Sequence, residues 1–164
     1  MTISAHGRRR VLAVLVGSVV VMVAFWVLWF AARGVVASND RPAYVEFENA
    51  FPAADAWLTA CLVGAAYTIA LRRPTALLWL LAGGGAGVYL FAEDALYDVE
   101  HGIWWRSGAG GVIELAINIV TLAVSVGLLR WAWQHRTALL GGHHLDTEAG
   151  TSTTPTPQHS PPGA

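Results

Sequence analysis

The chain has 164 residues, one domain's worth, of which 55% are hydrophobic and only 13% charged. A soluble domain this small exposes more surface than so few charges can cover, so the composition excludes an ordinary soluble fold and points to a bilayer. The formal net charge of −1 argues against nucleic acid as a partner, the absence of lysine removes Schiff-base chemistry, and the single cysteine, Cys61, removes an intrachain dithiol.

In chain order, residues 1–10 form a polar lead ending in Arg8, Arg9 and Arg10. Residues 11–32 follow with no charge and only Ser18 polar, a run that spans roughly 30 Å, the thickness of a hydrocarbon core. Val35-Val36-Ala37 after such a run also fits a signal-peptide cleavage site, but the run is longer than a usual signal core. It also carries Trp26 and Trp29 as interfacial anchors, which favours a retained helix. Residues 33–53 read as a loop, with Asn39 to Pro42 as its turn. Further helices are expected over about 54–71, 75–92 and 112–133, with Pro74 suited to the first position of the third. Residues 93–111 form a second loop on the same side, and 137–164, rich in Gly, Thr, Ser and Pro, a disordered tail. The expected fold is all-α: an integral membrane four-helix bundle over 11–136.

The arginines set an orientation. With the N-terminus cytoplasmic, Arg8, Arg9, Arg10, Arg72, Arg73, Arg130 and Arg136 lie inside, and only Arg33, Arg41 and Arg106 outside. That asymmetry follows the positive-inside rule for a multi-pass plasma-membrane protein with both termini in the cytoplasm. Nine acids, Asp40, Glu46, Glu48, Asp55, Glu93, Asp94, Asp98, Glu100 and Glu114, then gather on the extracytoplasmic side. Small residues at four-residue spacing, Ala56, Ala60 and Gly64, Gly83 and Gly87, and Ala123 and Gly127, fit close helix packing.

Two groups of residues are chemically informative. Glu114, Asn118, Thr121 and Ser125 share one stripe of the fourth helix and belong in the protein interior, because polar groups facing lipid are costly. With Asp55 and Thr59 of the second helix they form a candidate ligand cleft opening outward. The second group is the acidic stretch 93–101, either a continuation of the third helix or an amphipathic helix on the membrane surface. Its carboxylates oppose the helix dipole, so they need compensation from Arg106, a first-loop arginine, protonation or a cation. Asp94, Asp98 and His101, at i, i+4 and i+7, are a candidate divalent-cation set. No cofactor is otherwise implied, and no phosphate loop, nucleophile elbow or zinc-protease helix occurs.

Phe51 to Leu58 (FPAADAWL), Tyr97 and Gly102-Ile103-Trp104 resemble an uncharacterised group of small bacterial four-helix integral membrane proteins. The resemblance covers roughly residues 45–130 and implies the four-helix architecture and importance for Asp55 and Asp98, but no activity. The layout is also similar to four-helix membrane isomerases and sterol-binding proteins, with no motif to align. The residues favour a non-enzymatic accessory or small-ligand-binding protein, partnered by the bilayer and by a second copy or another membrane protein. The alternatives are a cation- or proton-coupled transporter acting as an oligomer, and a membrane enzyme acting on a lipid or isoprenoid through carboxylate acid/base groups.

Overall fold

The computed structural model describes residues 3–37 and 40–141, and every regular element among them is helical. In order these are α1 (Ala5–Ala32), a 3₁₀ turn (Arg33–Val35), α2 (Pro42–Glu48) and α3 (Pro52–Ala70). α4 (Ala76–His101), α5 (Ile103–Arg106), α6 (Ala109–Gln134) and α7 (Arg136–Leu140) follow. α1, α3, α4 and α6 carry the four segments long and apolar enough to cross a membrane, so the fold is compatible with a membrane protein. The expected tail lies outside the described residues from 142 onward.

Local chemistry explains where the elements begin and end. α1 starts six residues earlier than its uncharged run, because the Ser4 hydroxyl accepts from the Gly7 amide at 3.0 Å and caps the helix ahead of the arginines. The expected 33–53 loop contains α2. Both α2 and α3 open on a proline, whose missing N–H costs nothing in a first turn. α3 closes with Arg72 in the left-handed region (φ +54°), while the Arg73 amide donates to the Thr68 carbonyl at 2.8 Å, a Schellman-type stop. Pro74 falls in the following turn, two residues before α4, rather than at its first position.

The acidic stretch, placed within the 93–111 loop, continues the preceding helix without a break through His101, the first of its two expected forms. α4 has no breaker before Gly102, which adopts φ +68° and ends it. Its 26 residues span about 39 Å, beyond the hydrocarbon thickness by about two turns, and those turns are the acidic ones.

The long helices pack as a row: α1 on α3, α3 on α4, α4 on α6. α1 and α6 flank the row without a comparable contact between them. The α4–α6 approach is made by glycine. A Cβ on Gly84 would come within 2.6 Å of Leu129, and one on Gly87 would overlap the Ser125 hydroxyl. A Cβ on the neighbouring Gly85 meets nothing within 4 Å. Gly87→Ala is therefore expected to lower stability by about 1–3 kcal/mol through overpacking, whereas Gly85→Ala is neutral or better. Thermal unfolding of the two variants in detergent checks this.

Candidate functional site

One end of the row carries the described acids and the other most of the arginines. At the acidic end four helices bring together six buried or half-buried polar groups. Glu114 and Asn118 project from α6, one turn apart, and are 6% and 2% exposed. Asp94 and Asp98 come from α4, also one turn apart, with Asp98 fully buried. Asp55 comes from the first turn of α3, and Glu48 from the last residue of α2, 6% exposed.

Aromatic N–H and O–H groups hold several of these carboxylates. Trp26 Nε1 donates to Asp55 at 2.9 Å, and Trp104 Nε1 to Asp98 Oδ2 at 2.7 Å. The Tyr44 hydroxyl lies 3.4 Å from Glu114 Oε2. Asn118 is the hub. Its Nδ2 donates to Asp94 Oδ2 at 3.0 Å and to Asp98 Oδ2 at 3.1 Å, and lies 3.3 Å from its own helix's Glu114 carbonyl. Among the described residues, the buried Asp98 Oδ1 and Asn118 Oδ1 have no hydrogen-bond partner. Around them Trp29, Tyr44 and Ile103 form a small aromatic-apolar cluster, with Phe47 stacked on Tyr97 at 3.7 Å.

A cavity of about 470 Å³ runs from these acids into the apolar interior. Glu48, Asp55, Asp94, Glu114 and Asn118 line its polar end. Thr121 and Ser125 continue one wall, and Phe25, Met22, Gly17 and Ala13 of α1 face them. From Glu114 to Leu128 the lining covers about 21 Å of helix axis. Among the described lining residues none is basic.

Of the residues expected in a cleft, Asp55, Glu114, Asn118, Thr121 and Ser125 therefore share this cavity. Thr59 lies in a separate groove between α1 and α3, reached by Asp55 from its other side. Of the expected cation set, Asp94 lines the cavity and Asp98 adjoins it through Asn118. His101 is exposed, its Nδ1 bonded to the Tyr97 carbonyl at 2.9 Å and its ring stacked on Tyr97. Among the described residues, the group close enough to share one ion is Glu48, Asp94 and Glu114, with one ligand oxygen from each within 4.8 Å of the others. Glu48 is the residue sequence reasoning passed over. Its signal was its position four residues after Tyr44 on a short helix, which puts both on one buried face.

Comparison with family models, with curated proteins and with solved structures returns no match.

If aromatic N–H donors hold the buried carboxylates in place, Trp104→Phe is expected to cost about 1–3 kcal/mol by depriving fully buried Asp98 of a donor. Trp105→Phe, at a residue 60% exposed, is expected to change stability by less than about 0.5 kcal/mol. Chemical unfolding followed by tryptophan fluorescence separates the two.

Proposed function

We propose that this protein is a membrane-embedded, non-enzymatic binding protein for an elongated, mostly apolar ligand whose polar end meets the carboxylates. The observation that carries the reading is one continuous cavity, acidic at one end and apolar along the rest. Cavities of this size lined by apolar side chains with a few convergent polar groups are the usual form of small-molecule sites. The ligand enters sideways from the bilayer, because α1 and α6 both line the cavity without packing on each other. In lipid, that gap offers an apolar molecule a path that never crosses water.

The same reading orients the protein. Arg8, Arg9, Arg10, Arg72, Arg73, Arg130 and Arg136 mark the cytoplasmic end, and the acid-lined mouth faces the other side of the plasma membrane. Binding rather than transport is favoured because the acids gather at one end of the cavity, while the middle offers only Thr121 and Ser125 as polar partners on α6.

The test fills the slot. Gly17 lines the cavity from α1, and a Cβ there meets nothing within 4 Å, so the side chain of Gly17→Phe starts in open space beside the slot. The probe is an environment-sensitive dye carried on a long uncharged alkyl chain, titrated into protein in lipid nanodiscs. Wild-type protein is expected to bind it saturably, Gly17→Phe roughly tenfold more weakly or not at all, and Gly127→Phe, off the cavity, like wild type. Equal binding by all three would overturn the reading.

A further inference from the structure

We infer that the carboxylate end of the cavity is a binding site for one hard divalent cation, of the calcium, manganese or magnesium class, held by Glu48, Asp94 and Glu114. The site belongs to the same cleft as the proposed ligand slot but rests on different residues, and it stands whether or not an apolar molecule occupies the slot.

Geometry comes first. One oxygen from each of the three carboxylates lies within 4.8 Å of the other two. Oxygen ligands on opposite sides of a calcium ion are about 5 Å apart, so a single ion reaches all three. The three come from α2, α4 and α6, so an ion there ties together segments that are remote in sequence. The donor set contains no thiolate or imidazole, a combination that suits calcium, manganese or magnesium rather than copper or a structural zinc.

A second observation is independent of the cluster's charge. Asn118 is 2% exposed and lines the same cavity, its amide nitrogen 3.0 Å from Asp94, yet its Oδ1 has no hydrogen-bond partner among the described residues. Behind it, fully buried Asp98 leaves Oδ1 without a partner as well. A buried oxygen without a donor costs free energy, and the Asn118 amide that carries one of them is bonded to two neighbouring carboxylates, Asp94 and Asp98. A cation suits such an environment. It needs no hydrogen-bond donor, it offsets the repulsion among carboxylates in a region of low dielectric, and it takes six or more oxygens.

The site differs from one drawn along α4 alone. Asp94 is common to both, but Glu48 and Glu114 stand where Asp98 and His101 were expected, because α2 and α6 approach α4 more usefully than α4's own next turn does.

The experiment uses the full chain in nanodiscs of uncharged-headgroup lipid. Manganese(II) binding is followed by loss of the free-ion electron paramagnetic resonance signal, and calcium binding by calorimetry. Wild type is expected to take up one equivalent saturably, with calcium displacing manganese. Asp94→Asn, Glu114→Gln and Glu48→Gln are each expected to weaken uptake by about tenfold or more. Glu93→Gln and Glu100→Gln, exposed on the same helix, are expected to bind like wild type. Removing one of several close carboxylates relieves repulsion, so these variants are expected to fold, as circular dichroism would show. Absence of saturable uptake of either ion by wild type overturns the site, and so does undiminished uptake in the Asp94 and Glu114 variants. Gly17→Phe separates the two proposals: it is expected to keep the ion while losing the alkyl dye. Ion loss with dye binding retained therefore counts against the cation site alone.

Discussion

The acidic end of this protein depends on one amide. Asn118 Nδ2 reaches Asp94 and Asp98 together, fastening α6 to α4 beside a half-buried carboxylate and a fully buried one. Carboxylates in a region of low dielectric repel one another, and each must find donors or a positive charge. The chain answers with neutral donors from the surrounding helices: the indoles of Trp26 and Trp104, the phenol of Tyr44 and the Asn118 amide. Those donors leave Asp98 Oδ1 and Asn118 Oδ1 without a hydrogen-bond partner among the described residues.

Packing elsewhere follows from holding this arrangement. α6 must lie close enough to α4 for Asn118 to reach across, and glycine at positions 84 and 87 removes the side chains that would keep the helices apart. The approach places Ser125 against Gly87, a polar group in a setting that a larger residue would fill. α1 is held instead to α3, partly through Trp26 and Asp55, and so stands off from α6. The cavity is the space this difference leaves. Tight packing on one side and a gap on the other are two results of the same sequence choices.

The four long helices were legible because uncharged runs of membrane-spanning length leave few alternatives. The stripe of Glu114, Asn118, Thr121 and Ser125 was legible for a similar reason: polar residues at helical spacing in an otherwise apolar segment select one face. What the sequence hid was tertiary. The four-residue spacing of Tyr44 and Glu48 in PAYVEFE marks a shared face, but seven residues are too short a segment to say that this face turns toward α4 and α6. The same limit applied to the acidic stretch. Its spacing brought Asp94, Asp98 and His101 into one group along the helix, whereas the structure sends Asp98 toward Trp104 and His101 toward Tyr97. Helical spacing finds neighbours along one rod, but it is blind to which rod comes alongside.

The central claim is that α2 and α6 bring Glu48 and Glu114 to one point. A pair of cysteines at these positions, treated with a short thiol-specific bifunctional crosslinker in nanodiscs, tests it most directly, and fully buried Cys61 is expected to stay silent. The account predicts efficient intramolecular crosslinking of the 48/114 pair and little for a 46/114 pair, whose first member is exposed on another face of α2. Equal crosslinking of both pairs, or none for 48/114, would contradict it.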